Sequence, residues 1–394
     1  MVKQAIKKGA GIQRFSVKDL KVSMMGSEEK AKTADKPLEW IIMPDAFQKA
    51  LNLPGIACGR LNVARGWSDT GKSTLKNCII AASMKQGMLP IIFETEGNFD
   101  FQYAKDCGMA IEPVYGEIET EIVNEETGEI TVETKEEIVD WEGDYFLFTN
   151  KKICEFCGNM DYSTGTQKKT YRTIPVIEDI AYIINTFLDK QDNGEIPMPL
   201  VFIWDSCGSV SSYKSVTSKV GNNQFDAGAI SQSFKSIFSR ISASKEIGAQ
   251  YTNTMFIVNK IWQDAMNSVG GAVAIENSGG KTIQFNMRLG IHVGGVAKAG
   301  TKKLKCTYKG EEYQYGTLTK VSIFKNHLPS PFNVTYAGTM CCVHNGIISE
   351  DELPEYKKKY IPILIEKMKQ TLGEEKTKGI NAEDIQFTEE GELE

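Results

Sequence analysis

The pattern of apolar positions predicts alternating strands and helices in the first part of the chain. Between Ile41 and Ile92, an apolar helical segment is followed by a strand at 59–65, a loop, a helix at 73–86 and a strand at 89–93. Short apolar runs are typical of buried strands, whereas apolar residues three and four positions apart are typical of helices. A strand–helix–strand order is the unit of a parallel sheet, so this region predicts an α/β fold.

The alternation continues beyond residue 172. The predicted elements are helices at 173–190 and 226–248, strands at 200–205, 254–258, 285–293 and 318–324, and a charged helix at 350–372. A glycine-rich segment covers 269–280. This order favours a mostly parallel central sheet flanked by helices.

Polar segments interrupt the pattern between residues 112 and 172. Glutamates alternate with apolar residues at 117–123 and 129–133, which predicts an acidic β-hairpin. A core strand or helix would not carry so many like charges. We therefore interpret 112–172 as an insertion into the α/β core.

The chain divides into three predicted parts. Residues 1–35 are polar and basic, and form either a flexible arm or a segment that docks on a neighbouring subunit. The core spans 36–345 and includes the insertion. A C-terminal helix and an acidic tail span 346–394, and we expect the glutamate-rich end to be disordered.

Composition narrows the class of protein. The chain has 394 residues, of which 41% are hydrophobic and 24% charged, which is typical of a globular protein with one large core or two domains. A net charge of −6 argues against coating nucleic acid by bulk charge, but leaves a local basic surface open. The nine scattered cysteines show no disulfide framework. With no signal peptide and no apolar run of roughly 18–20 residues, we expect a cytoplasmic protein without a membrane partner.

The segment 66–74 matches the phosphate-binding pattern G-x-x-x-x-G-K-[ST]. Its residues are Gly66, Trp67, Ser68, Asp69, Thr70, Gly71, Lys72, Ser73 and Thr74. In such a loop the backbone N–H groups surround the phosphates, the lysine adds positive charge and the serine hydroxyl binds Mg²⁺. Because the segment follows a predicted strand and begins a predicted helix, we expect it to hold ATP with Mg²⁺.

Two acids are placed to complete an ATPase site. Asp205 ends the apolar strand 200–204, where an acid can hold the magnesium shell; the alternative is a cap that ends the strand. Glu96 follows the strand 90–93, where a carboxylate can orient the attacking water. Glu94 is close enough in sequence to compete for that role.

These motifs occur in an order that resembles the bacterial RecA recombinases. The matching segments lie between Gly59 and Phe332, and they are 94–105, 201–206, 256–260, 277–289 and 325–332. Several collinear matches are more specific than a P-loop alone. The resemblance implies a RecA-type P-loop ATPase core.

The resemblance also implies roles for residues around the nucleotide. Glu96 would activate water, Asp100 would contact the adenine amino group and Tyr103 would stack on the base. The strand 256–260 would end in the γ-phosphate sensor, at Asn259 and Lys260. The segment 325–332 would reach a neighbour's ATP through Lys325 and His327.

The resemblance places DNA contacts in two further segments. The glycine-rich loop 270–282 would be the second DNA-binding loop, with contacts from Asn277, Ser278, Gly279, Gly280 and Lys281. Glycines let backbone N–H groups approach phosphates, although composition alone also allows a plain surface loop. The first DNA loop would lie at 211–228, with Lys214 and Lys219, and Lys235 follows on the next helix.

Some positions depart from the family pattern. Lys260 stands where bacterial RecA usually has Gln, and Trp262 where it has an arginine; Trp262 could stack on a base or pack internally. His327 replaces one of the two lysines that act across the interface, and most of the family's C-terminal domain is missing. These departures favour a divergent, phage-type (UvsX-like) recombinase. Cys154 and Cys157 have half the spacing of a zinc ribbon, but no second pair follows.

We therefore expect an ATP-dependent recombinase that binds single-stranded DNA in a helical filament and exchanges strands with homologous duplex DNA. A loading protein or single-strand-binding protein is a possible further partner, and a phage-encoded chain would act in the bacterial host cytoplasm. One alternative is a hexameric RecA-fold helicase, although no arginine finger is evident. The other is a nucleotide-gated recombination scaffold that barely hydrolyses ATP, which Lys260 favours.

Overall fold

The structure is a computed structural model of the chain. It describes residues 16–27, 35–123, 130–158, 160–163, 166–167, 172–218, 223–264, 274–277, 280–295, 300–308, 310–373, 378–379 and 381–392. Within these ranges no helix is both long and apolar enough to cross a bilayer.

Helices and strands alternate along the described chain. The helices are α1 (Val17–Met25), α2 (Asp45–Leu51), α3 (Lys72–Lys85), α4 (Phe101–Asp106), α5 (Asn150–Cys157), α6 (Ile177–Asp192), α7 (Tyr213–Ser218), α8 (Asn223–Ser233), α9 (Lys235–Ala243), α10 (Gly280–Asn286) and α11 (Leu353–Leu372). The strands are β1 (Trp40–Ile42), β2 (Gly55–Ala57), β3 (Leu61–Gly66), β4 (Leu89–Glu94), β5 (Ile111–Val123), β6 (Ile130–Gly143), β7 (Phe146–Thr149), β8 (Met160–Asp161), β9 (Thr166–Gln167), β10 (Leu200–Asp205), β11 (Thr254–Asp264), β12 (Ala274–Asn277), β13 (Met287–Val293), β14 (Thr301–Tyr308), β15 (Glu311–Asn326), β16 (Ala337–Val343), β17 (Gly346–Ile348) and β18 (Gln386–Glu392).

A large mixed sheet forms the centre of the molecule. Its strands follow the order β17-β16-β15-β13-β3-β11-β10-β4-β7, with β12 beside β11 and with β14 between β15 and β18. The strands from β13 to β7 pair in parallel, whereas those from β13 to β17 pair antiparallel. The expectation of a mostly parallel sheet therefore holds for one half of the sheet, from β13 to the edge strand β7. The connections from β14 to β17 are too short for the crossovers that parallel pairing requires.

Successive residues of the parallel strands face two different cores. On β10, Val201 and Ile203 face a core formed with α2 and α3, whereas Phe202 and Trp204 face a core formed with α6, α8 and α9. Both faces of the strand are buried, which explains its continuous apolar sequence. The expected α/β architecture, a large sheet flanked by helices, is confirmed.

The strand that follows α3, β4, is not adjacent to β3 in the sheet. β11 and β10 lie between β3 and β4, so the nearest strands in sequence are not neighbours in space. This arrangement brings the ends of four parallel strands together instead of two. Sequence order alone did not predict which strands are adjacent.

The C-terminal segment packs on the antiparallel half of the sheet. Residues of α11, including Tyr356, Leu364 and Met368, are buried with strands β14 to β16. β18 pairs with β14 along its length, and Lys305 of β14 contacts Glu390 at 2.6 Å. The prediction of a disordered acidic tail is wrong for residues 386–392, because β14 offers an open strand edge and lysines.

Three further boundaries differ from the prediction. The helix predicted at 226–248 is two helices, α8 and α9, separated at Phe234, whose buried ring stacks on Trp204 at 5.3 Å. The strand predicted from residue 285 begins at Met287 and follows α10. The strands of the predicted hairpin are longer than expected, because β5 and β6 remain paired back to Ile111 and Gly143.

Removal of the tail strand should destabilise the protein. A chain that ends at Gly379 loses β18 and exposes the cluster that Ile385 and Phe387 cover. We expect a loss of about 2 kcal/mol, or a melting temperature lower by roughly 2–4 °C, in thermal unfolding followed by circular dichroism. A chain that ends at Glu392 is the control, and equal melting temperatures for both chains would contradict the docked tail.

Candidate functional site

The candidate site lies at the carboxyl ends of β3, β4, β10 and β11. The parallel register places Asp205 opposite Glu94, and Lys260 opposite Gly66. The loop that leaves β3 at Gly66 enters α3 at Lys72. Residues predicted from four separate segments of sequence are thus brought to one edge of the sheet.

Glycine is required at both ends of this loop. A Cβ atom at Gly66 would lie 2.1 Å from the carbonyl oxygen of Val293. Gly71 has a φ of 93°, and a Cβ there would lie 2.4 Å from the Cys342 sulfur. Only glycine permits so close an approach with a left-handed backbone. The loop backbone is therefore held tightly against β13 and β16, with Ser68 and Asp69 exposed at its tip.

Lys72 points into the loop rather than towards solvent. Its ammonium donates a hydrogen bond to the carbonyl oxygen of Trp67. Burial lowers the pKa of Lys72 to about 8, although Asp205 and Glu96 act in the opposite direction. Thr70 also bonds the Trp67 carbonyl, at 3.0 Å, and Ser73 is exposed at the start of α3.

Glu96 and Lys260 form an ion pair beside this loop. The Lys260 ammonium lies 2.8 Å from the Glu96 carboxylate, and the Ser206 hydroxyl donates to the same side chain. Burial acts to raise the pKa of Glu96, but the bonds from Lys260 and Ser206 outweigh it, so the pKa lies below its usual value. The carboxylate therefore remains ionised, and the cation expected at the sensor position directly contacts the predicted water-orienting acid.

Asp205 is paired with Lys76, a residue that sequence reasoning missed. The Lys76 ammonium lies 2.7 Å from Asp205 and 2.8 Å from Glu94, and all three side chains are buried or nearly so. Burial alone would lower the pKa of Lys76, but the two carboxylates raise it, so the lysine is charged. The sequence did contain one signal for this ion pair: Lys76 lies on the buried face of a predicted helix, one turn after Lys72.

A cavity of about 380 Å³ opens beside the loop. It is lined by residues 69–74, by Asp100 and Tyr103, by residues of β15, β16 and α11 that include Tyr313, Tyr315 and Lys367, and by His344, which follows β16. The C-terminal wall was not predicted, because it comes from segments more than 200 residues away in sequence. Its aromatic and polar side chains suit a flat heterocycle better than bare phosphate.

Asp100 and Tyr103 also have structural contacts. The Asp100 carboxylate accepts a hydrogen bond from the Tyr103 backbone N–H at 2.9 Å and so caps α4. The Tyr103 hydroxyl contacts the Thr74 hydroxyl, and it donates to the Val343 carbonyl at 3.4 Å. Both side chains line the cavity, and these contacts hold their orientation.

Lys325 and His327 lie at the opposite edge of the parallel strands. Lys325 is paired with Gly290 in the middle of β13, and its ammonium donates to the Gln284 carbonyl of α10, the helix that precedes β13. His327 is exposed and lines a separate cavity of about 350 Å³. Within one chain these two side chains are therefore away from the loop 66–71. Asn259 is buried in β11, beside Arg65 of β3.

The candidate DNA residues are only partly described. Lys214 is exposed on α7 with its ammonium 4.1 Å from the centre of the Phe225 ring, and Lys235 is exposed at the start of α9. Lys219, Ser278 and Gly279 lie outside the described residues.

The glycine-rich loop predicted at 270–282 has two described parts, and both have regular secondary structure. Gly280 and Lys281 begin α10, and Lys281 is exposed. The Asn277 backbone belongs to β12 and pairs with Ile261 of β11. Trp262 follows in the same strand and pairs with Glu276. The described residues 274–277 therefore form a strand instead of a loop, because β11 extends beyond the sheet and offers β12 a partner, and residues 280–282 begin a helix.

The two closely spaced cysteines lie on α5. Cys157 is buried, and its thiol contacts the Asp179 carbonyl at 3.7 Å. Among the residues that the structure describes, no cluster of three or more His, Cys, Asp or Glu side chains could hold a metal ion.

The site residues fit a nucleoside triphosphate with Mg²⁺. The loop offers backbone N–H groups and one cation, Lys72, that contacts a neutral carbonyl rather than a carboxylate. Phosphate oxygens are better partners for an ammonium group than that carbonyl. Ser73 is exposed at the start of α3 and Asp205 ends β10, and both carry oxygen atoms of the kind that a magnesium shell requires.

Comparison with curated proteins finds RecA proteins. The chain is 36% identical to the RecA protein of Roseiflexus castenholzii over 83 residues, which are 20% of this chain and 24% of that protein. It is 32% identical to the RecA protein of Herpetosiphon aurantiacus over 94 residues, which are 24% of this chain and 25% of that protein. The chain thus spans about a quarter of each relative's length. No family model matches the chain. These partial matches support a RecA-like relationship.

Phosphate binding should weaken as the pH rises above about 8. Below its pKa of about 8, Lys72 is charged and can bind an anion; above it, the free protein loses this charge. We expect the affinity for a fluorescent ATP analogue to fall about tenfold between pH 7 and pH 9. Lys72→Met should bind weakly without this pH dependence. Constant wild-type affinity over this range would contradict the assignment.

Proposed function

We propose that this chain is an ATP-dependent recombinase that binds single-stranded DNA, of a divergent phage-type (UvsX-like) form. The observation that carries the proposal is the convergence of the loop 66–71, Glu96, Asp205 and Lys260 at one sheet edge. The ion pair between Glu96 and Lys260 at 2.8 Å joins two of these segments directly. The partial similarity to RecA proteins supports the same proposal.

In this proposal the loop holds the triphosphate and the C-terminal wall receives the base. Lys72 would exchange the Trp67 carbonyl for phosphate oxygens, and Ser73 with Asp205 would hold Mg²⁺. The metal, when bound, would neutralise charge that develops on the phosphates. Asp100 and Tyr103 would contact adenine from one side of the cavity, with His344 and Tyr313 opposite.

Glu96 would orient the attacking water, and Lys260 would hold Glu96 until the γ-phosphate arrives. A phosphate near Lys260 competes with Glu96 for the ammonium and would free the carboxylate to accept a proton from water. Hydrolysis would then return Lys260 to Glu96. The pair would act as a sensor of the γ-phosphate.

The filament and DNA contacts belong to the proposal as well. Val17, Leu20 and Met24 form an exposed apolar stripe on α1, which has no buried residues and suits docking on a neighbouring copy. Lys325 and His327, at the far edge of the sheet, would then approach the neighbour's ATP. Lys214, Lys219, Lys235 and Lys281 would contact single-stranded DNA, together with Asn277, Ser278, Gly279 and Gly280. Homologous duplex DNA would be the second substrate, in the host cytoplasm.

A second candidate function is a nucleotide-gated recombination scaffold with slow turnover. The ion pair between Lys260 and Glu96 favours it, because a paired carboxylate with a lowered pKa is a weaker base. ATP hydrolysis measured with and without single-stranded DNA distinguishes the two functions. The recombinase requires turnover that DNA stimulates, whereas the scaffold shows slow turnover under both conditions.

Replacement of Glu96 should separate ATP binding from hydrolysis. We expect Glu96→Ala to bind ATP normally and to hydrolyse it at least about 100-fold more slowly, because general-base catalysis contributes that much. Lys72→Ala should instead lose ATP binding and ATP-dependent DNA binding. The measurements are calorimetric nucleotide titration and phosphate release.

Lys85→Ala provides a matched control, because Lys85 lies at the far end of the same helix. Full turnover by Glu96→Ala would transfer the water-orienting role to Glu94. Unchanged DNA binding by Lys72→Ala would refute the role of the loop.

Filament formation should depend on the apolar stripe of α1. With single-stranded DNA and a non-hydrolysable ATP analogue, we expect helical filaments in negative-stain images. The double substitution of Leu20→Asp with Met24→Asp should abolish filaments and leave ATP affinity unchanged, since α1 lines no part of the cavity beside the loop. Ser23→Asp places one negative charge on the same helix, outside the three residues of the stripe, and should be tolerated. Closed rings, or no assembly by the wild-type chain, would refute the filament.

A further inference from the structure

Lys76 lies outside the phosphate-binding motif, but it contacts an acid of the candidate site, Asp205. It follows Lys72 by one helical turn on α3 and is 97% shielded from solvent, since its side chain is 3% exposed. Its ammonium bridges Glu94 at 2.8 Å and Asp205 at 2.7 Å. No function assigned above uses this lysine.

The bridged acids are direct neighbours in the parallel sheet. Glu94 ends β4, Asp205 ends β10, and the two residues are paired in register. Neighbouring strands are about 4.8 Å apart, so two ionised carboxylates at this position repel each other strongly when buried. A cation between them is the simplest way to keep both charged and in place.

The contacts of Lys76 select one oxygen atom of each acid. Lys76 binds Oε2 of Glu94, and the other oxygen, Oε1, accepts the backbone N–H of Glu96 at 3.1 Å. Lys76 likewise binds Oδ2 of Asp205, and within the described part of the chain no donor contacts Oδ1. One ammonium group thus connects the proposed magnesium acid to the backbone of the proposed water-orienting acid.

We propose that Lys76 is a positioning residue for magnesium binding and for hydrolysis, an inference that rests on the proposed ATPase function. It holds Asp205 so that only Oδ1 is available to the water shell of Mg²⁺. Through Glu94 it fixes the backbone from which the Glu96 side chain extends. The lysine itself contacts neither nucleotide nor metal.

A purely structural counter-charge would behave differently from a positioning residue. Lys76→Arg keeps the positive charge and changes its geometry, because guanidinium is larger and planar. Lys76→Met keeps the length and removes the charge. Lys85→Met, on the last turn of the same helix, is the matched control for loss of a lysine.

Two measurements test the inference. For Lys76→Arg we expect a melting temperature near that of the wild type, affinity for ATP within about threefold, and kcat lower by about 10- to 100-fold, as small displacements of catalytic groups cost that much. In the presence of a non-hydrolysable ATP analogue, this variant should bind Mn²⁺ at least about fivefold more weakly than the wild type does, as measured by electron paramagnetic resonance. If Lys76→Met folds, it should also show the lower kcat and the weaker Mn²⁺ binding. Lys85→Met should show neither effect.

The possible results separate the inference from the function on which it rests. A folded Lys76→Arg variant with wild-type kcat and wild-type Mn²⁺ affinity would overturn the positioning role, whether or not Lys76→Met folds. A wild-type chain that binds neither ATP nor Mn²⁺ with the analogue would refute the proposed function itself. Lower kcat and weaker Mn²⁺ binding at unchanged ATP affinity is the result that supports the inference.

Discussion

Parallel pairing of β3, β11, β10 and β4 places their carboxyl ends at one edge of the sheet, and the candidate site depends on this constraint. The core-facing residues of these strands are apolar on both faces, and the acids Glu94 and Asp205 are the last residues of β4 and β10. The register then decides which ends meet: Asp205 beside Glu94, and Lys260 beside Gly66. Residues from distant parts of the chain thus become neighbours because the strands that carry them are paired, and not because they are close in sequence.

Three lysines and three acids meet at this edge, and the lysines differ in what they contact. Lys76 contacts both Glu94 and Asp205, and Lys260 pairs with Glu96. Among the described residues, Lys72 donates its hydrogen bond to the Trp67 carbonyl rather than to a carboxylate, and burial lowers its pKa, so an anion in direct contact would stabilise its charge. A bound phosphate would supply that anion.

The antiparallel half of the sheet adds the second wall of the site. β15 and β16 approach the loop so closely that Gly71 cannot carry a side chain beside Cys342. The aromatic residue Tyr315 lines the cavity on one side and contacts Phe387 of the tail strand at 5.7 Å on the other. The C-terminal segment is therefore part of the structure around the cavity.

The sequence by itself determined the local features: the loop 66–74, the apolar strand that ends at Asp205, and the position of Glu96 after β4. These features depend on contacts between residues that are close in sequence and on burial, which produces a periodic pattern of apolar residues along the chain. Only the tertiary structure decided the sheet order, the docking of β18, and the pairing of Lys76 with Glu94 and Asp205. Each of these joins segments whose approach is fixed by packing and register, and the sequence of α3 does not reveal which carboxylates Lys76 will meet.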